Sequence, residues 1–126
     1  MDEKFRRQME ENDADVATTL KRFMGNETIY LKFIMKFLDD KNYEAIKDGL
    51  MQNDYEKAFT GAHSLKGVAG NLGLNPVYEA ASEMSELLRN AKDHEIDAEK
   101  LQEVKVKLEE SYLGFQKIIA ESLPVS

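Results

Sequence analysis

The stretch from Thr60 to Pro76, TGAHSLKGVAGNLGLNP, places His63 three residues before Lys66 and among four of the chain's seven glycines, Gly61, Gly67, Gly70 and Gly73. A neutral imidazole carries a free lone pair near physiological pH and is a competent nucleophile. A lysine three residues further along a helix lies one turn away, where its ammonium reaches the space above the ring and offsets an anion placed there. A phosphoryl group on the ring would be such an anion, with about two negative charges. The glycines need a separate reason, because glycine inside a helix costs about 1 kcal/mol against alanine.

With His63 at zero and about 100° per residue, Ala58, Gly61, Ala62, Leu65, Val68, Ala69 and Leu72 form a continuous apolar stripe on the far side. That stripe must be the buried face. Glu56, Phe59, Thr60, Lys66, Gly67 and Gly70 fall within about 60° of the histidine, so His63 is expected to point outward, to solvent or to a partner. A solvated face ordinarily carries Glu, Lys, Gln or Ala, and Gly67 and Gly70 there cost roughly 2 kcal/mol together. The cost makes sense where another surface must come close to the imidazole. Phe59, one turn earlier, would offer that visitor an apolar contact; packing against a neighbouring helix accounts for it equally well. Gly61, on the buried stripe, lets two helices approach, and Gly73 reads as a helix terminator.

The rest of the chain reads as mostly helix. It has two prolines, Pro76 and Pro124, no strand-like alternation, and several segments with apolar residues at 3.6-residue spacing. A short charged segment near 2–10 is expected to fray. A helix over about 13–23 follows, with Val16, Leu20 and Phe23 on one side, and Gly25–Asn26 breaks it. A long segment over about 27–51 has Tyr30, Ile34, Phe37, Leu38, Ile46 and Leu50 as inward candidates. Asn53–Asp54 reads as a turn and N-cap before the histidine helix, about 54–71. Asn75–Pro76 reads as an N-cap followed by proline at the first helical position, opening a helix to about Lys92. Its apolar set is Val77, Ala80, Ala81, Met84, Leu87 and Leu88. After the turn AKDHEID, a last helix over about 97–121 carries Leu101, Val104, Leu108, Tyr112, Phe115 and Ile119. Long amphipathic helices joined by short turns make an all-α, antiparallel, up-and-down four-helix bundle with an additional short N-terminal helical segment. Residues 1–12 are then an extension, 13–121 one bundle domain and 122–126 a tail.

Composition narrows the function classes. The 126 residues suffice for one core without disulfides or metals. With no cysteine, disulfide scaffolds, zinc-thiolate sites and cysteine nucleophiles are excluded. The net charge of −7 argues against nucleic acid, and the basic spots such as KVK at 105–107 sit among glutamates. The charged start, MDEKFRRQMEENDAD, is not a secretory signal, and no apolar run approaches the roughly 20 residues a membrane span needs. A soluble cytoplasmic monomer is expected, with no membrane association.

The segment AHSLKGVAGNLGL at 62–74 resembles the AHxLKGxxxxxG signature of histidine-containing phosphotransfer (HPt) domains. The likeness extends through GNETIYLKFIMKF at 25–37, MQNDYEKAFTGAHSLKG at 51–67 and ASEMSELLRNAK in the next helix, covering about 13–120. The resemblance implies a four-helix bundle with a reactive histidine on its outer face, acting as phosphocarrier in a two-component phosphorelay. His63 would accept the phosphoryl group, Lys66 would balance its charge, and Gly67 would give clearance, with Gly70 and Gly73 at small positions of the pattern. The family often sets Glu or Gln about 22 residues after the histidine to orient the ring. Ser85 stands there, with Glu86 beside it, and these two are the candidates for that contact. The partners implied are receiver domains of a hybrid sensor histidine kinase, of a response regulator, or of both. The receiver brings the aspartate and a bound Mg²⁺, so no cofactor is expected here and the chain is not itself an enzyme.

The same residues bear on competing functions. Di-iron bundles need Glu-x-x-His, but Thr60 and Ala91 precede the two histidines by three, and His94 opens HEIDA rather than HExxH. No metal site is expected, and His94 reads as an exposed turn residue. Two histidines, only one well placed, do not build a hydrolase. A bundle that binds a signalling partner without phosphorylation is the remaining alternative.

Overall fold

The structure is a computed structural model that describes residues 1–122; all of the expected tail except Ser122 lies outside the described residues. In chain order the α-helices are α1 (Glu3–Glu11), α2 (Val16–Arg22), α3 (Glu27–Lys36), α4 (Asn42–Met51), α5 (Tyr55–Leu72), α6 (Asn75–Leu88) and α7 (Ala98–Glu121). A 3₁₀ turn, Phe37–Asp39, follows α3. The described residues contain no strand. Helices α4 to α7 form the antiparallel bundle: α5 packs on α4 and α6, and α7 packs on α6. Helices α1 to α3 lie across it, α1 touching α7 and α2, and α3 touching α7. Among the described residues no helix is long and apolar enough to cross a membrane.

Aspartate and asparagine start most of these helices. Side chains of Asp2, Asp15, Asn26, Asp54 and Asp97 each accept a hydrogen bond from an N–H of the first turn. Each such cap is worth about 1 kcal/mol. The Asn53–Asp54 turn is as expected, with Asn53 in the left-handed region at φ 54°.

Three expectations change. The 27–51 segment is two helices, not one, because Asp40 breaks it. Asp40 has extended backbone (φ −60°, ψ 136°), and its carboxylate accepts from the N–H groups of Asn42 and Tyr43 and from the Tyr112 hydroxyl at 2.9 Å. The helix after Gly73 starts at Asn75 itself, with buried Leu74 in the cap position and Pro76 in the first turn. It ends at Leu88, before the expected Lys92. The N-terminal segment does not fray into solvent, since Phe5 and Met9 of α1 are buried in the common core.

The core runs along the bundle axis through Ile46, Leu65, Met84, Leu88, Leu108, Phe115 and Ile119, with Tyr30, Ile34 and Phe37 added from the N-terminal part. Burying one such side chain fully stabilises by about 1.5–3 kcal/mol. The stripe read on α5 is the buried one, except that Val68 is half-exposed. Close helix contact needs glycine at two places. A Cβ on Gly61 would lie 2.9 Å from Ile46 Cγ1, and one on Gly49 would lie 2.7 Å from the Ala58 backbone nitrogen.

Candidate functional site

Helix α5 presents His63, Thr60, Ser64 and Gly67 on its exposed face. Its C-terminus is closed by Gly73 at φ 72°, where the Leu74 N–H donates to the Ala69 carbonyl at 3.0 Å and the Gly73 N–H to Gly70 at 3.4 Å. This is the paired capping pattern that a left-handed glycine allows. Asp15 N–H donates to the Gly73 carbonyl at 2.8 Å, and a Cβ on Gly73 would collide with Thr19 Oγ1. The N-terminal part thus clasps the end of the histidine helix. Arg22 adds a cation there, donating from Nη1 to the Gly70 carbonyl at 2.8 Å, where a helix C-terminus favours positive charge.

Around His63 the contacts are specific. The Phe59 ring stacks on the imidazole with centroids 6.0 Å apart, and the guanidinium of Arg89, just past the end of α6, sits 5.5 Å over Phe59. Arg89 also pairs with Glu86 at 2.9 Å. Lys66 is half-buried, with Nζ 6.0 Å from the Tyr78 ring centre. Gly67 has open ground: a Cβ there would meet nothing within 4 Å. Gly70 does not, because its would-be Cβ lies 3.2 Å from the Tyr78 ring, so this glycine makes room for Tyr78.

The facing pairs Phe59–Arg89 and Gly70–Tyr78 set the register of α5 against α6, each pair summing to 148. By that count His63 is level with Ser85, and Lys66 with Ser82. Ser85 is 1% exposed, and its Oγ and that of Ser82 have no hydrogen-bond partner among the described residues. No hydrogen bond among the described residues joins His63 to Ser85 or Glu86; Glu86 is engaged with Arg89 instead. Tyr78, Arg89 and Arg22 are site neighbours that sequence reading missed. Counting back from the Gly73 turn in an antiparallel pair would have put Arg89 opposite Phe59.

The α6–α7 loop holds Arg89. His94, expected only to be exposed, is exposed and also fastens this loop: Nε2 lies 2.8 Å from the Arg89 carbonyl and Nδ1 2.9 Å from the Glu95 carbonyl. These two contacts, aided by Asp93, raise the His94 pKa above its ordinary value. Among the described residues no group of three or more His, Asp or Glu side chains stands together as a metal site.

A groove lined by Phe33, Lys36, Val68 and Asn71 runs beside α5. Phe33 stacks on Phe23 at 5.2 Å and carries Lys36 Nζ 4.8 Å over its ring. Exposed histidine, flanking cation and adjacent apolar groove suit nucleophilic exchange with a docked protein.

The sequence matches the Hpt domain family over residues 37–113, more than half of the chain, and the protein belongs to that family. Hpt domains are phosphocarriers of phosphorelays and interact with receiver domains of two-component systems. The match spans the 3₁₀ turn, α4, α5, α6 and most of α7. Comparison with curated proteins and with solved structures finds no match.

Proposed function

We propose that His63 is the phosphoryl acceptor of a carrier that takes its load from the aspartyl phosphate of one receiver domain and yields it to the aspartate of another. The observation that carries this is the placement of His63: outward on α5, without a hydrogen-bond partner among the described residues, beside open ground at Gly67. In the forward step the imidazole lone pair attacks phosphorus, a P–N bond forms, and the P–O bond to the aspartyl carboxylate breaks with its electron pair leaving on oxygen. Onward transfer is the same exchange in reverse. The receiver's Mg²⁺ neutralises charge in the transition state, so the chain is a substrate of its partners rather than a catalyst. Lys66 balances the phosphoryl charge after a short swing from the Tyr78 ring.

Docking falls on α5 and the groove beside it. Helices α2 and α3 carry Lys21, Arg22, Lys32 and Lys36 against one acid, Glu27, in a chain whose net charge is −7. Lys36 over the Phe33 ring and Arg22 at the end of α5 give the groove, which Asp40 also lines, a cationic edge that suits the acidic, aspartate-bearing face of a receiver and steers its approach. The exchange takes place in the cytoplasm with a hybrid kinase, a response regulator, or both.

The test is intact mass at neutral pH after mixing with a phosphorylated receiver, for wild type and His63→Gln. A gain of one phosphoryl group in wild type only is expected. No gain with several receivers, on a folded bundle, would leave the non-phosphorylated adaptor.

A further inference from the structure

Helix α7 has its own exposed glycine in mid-helix. A Cβ on Gly114 would meet nothing within 4 Å, so no packing among the described residues explains a residue that costs the helix about 1 kcal/mol against alanine. Around it Lys107, Glu110, Lys117 and Glu121 are all exposed. None of the four forms an ion pair among the described residues. Two half-exposed apolar side chains, Val106 at 41% and Leu113 at 49%, border the same strip. Val106, Glu110, Leu113 and Lys117 follow one another at four, three and four residues, the spacing of a helix-pairing seam.

The charges on this strip are self-complementary in one orientation only. Read along α7 they run plus, minus, glycine, plus, minus. A second α7 laid antiparallel about positions 113–114 sets Glu110 against Lys117, with Lys107 one residue out of level with Glu121, and two-fold symmetry repeats each pair. In that register Leu113 of each copy comes over Gly114 of the other, where the missing side chain leaves a seat. A parallel, in-register pairing would set like charges together.

We propose that the outward face of α7 is a self-association surface on which a second copy of this chain docks antiparallel, Leu113 seated on Gly114. This replaces the expected monomer with a weak, salt-sensitive dimer, because one helix pair gives an interface at the small end of the specific range. Helix α5 packs on α4 and α6 while α7 packs on α6, so α7 lies across the bundle from α5. Both His63 faces stay open in the pair.

Sedimentation velocity on the full chain over roughly 0.01–1 mM, a range suited to small interfaces, tests the proposal. Wild type is expected to dimerise with concentration at low salt and to dissociate in about 0.5 M salt, where the screening length shrinks. Lys117→Glu leaves both members of the central Glu110–Lys117 pair acidic and Glu110→Lys leaves both basic, and each alone should weaken self-association about tenfold or more. Mixing the two variants should restore a dimer, acidic face on basic face. Gly114→Gln should block the seat while circular dichroism stays helical. A wild type monomeric throughout, or charge variants that do not complement on mixing, would overturn it.

Discussion

The ring of Phe59 stacks on that of His63, centroids 6.0 Å apart and planes 20° from parallel. On a surface where the imidazole has no hydrogen bond among the described residues, this contact and the Arg89 cation above Phe59 are what orient it. Phe59→Ala is therefore expected to slow transfer about two- to tenfold, since such a stack is worth about 0.5–1.5 kcal/mol. Single-turnover transfer from a phosphorylated receiver measures this, and an unchanged rate would remove the stack from the mechanism.

Two glycines of α5 separate clearance from packing. Gly67→Gln meets open space, so the melting temperature should hold or rise with the better helix former, while transfer falls more than about tenfold because the side chain obstructs the partner. Gly61→Val meets Ile46 Cγ1 and the Asn42 carbonyl and should lose about 1–3 kcal/mol of stability. Thermal melts beside transfer rates distinguish them. Full transfer in a folded Gly67→Gln protein would refute the clearance role.

Both ring nitrogens of His94 face carbonyl oxygens, which only accept, so both must carry protons in this loop conformation. Its folded pKa is raised above the ordinary 6.5, first by the Glu95 and Arg89 carbonyls. The stabilisation is fully present below the unfolded value and is lost as pH rises through the folded one. An NMR titration should give a His94 midpoint above 6.5, and amide protection factors over Ala91–Asp93, with the intrinsic pH dependence of exchange divided out, should fall above it in wild type but stay level in His94→Gln. A midpoint at or below the ordinary value would show that the clamp does not form.

The N-terminal segment is a structural member in this account. Met9 is fully buried, so Met9→Ala should cost about 2–4 kcal/mol, read from the urea midpoint. We take residues 1–12 as part of the folding unit on this ground; a loss below about 0.5 kcal/mol, the size of an ordinary surface substitution, would return them to an extension.

What was legible in the sequence was what local periodicity encodes. The α5 stripe, the outward His63, the Gly73 stop and the close-packing Gly61 all follow from counting residues along one helix. The break at Asp40 was hidden because its apolar flanks, Phe37 and Leu38 before and Tyr43 after, keep helical spacing across it. Only the tertiary bond from Tyr112 and the two local caps show why the chain turns there. Tyr78 and Arg89 were missed for a related reason: their roles depend on how α6 registers on α5, which no single-helix pattern reports. The short α1 looked like a frayed charged stretch because a helix it packs on, α7, lies far along the chain.

That last connection bears on how the chain assembles. Helix α5 meets α4 and α6 through short turns, Gln52–Asp54 and Gly73–Leu74, whereas α1 waits for α7. Contacts between sequence neighbours close fast and distant ones slowly, so the histidine helix and its two neighbours are expected to assemble first. During synthesis α1 emerges well before α7, so its buried Phe5 and Met9 stay incompletely covered, and sticky, until that distant helix is made.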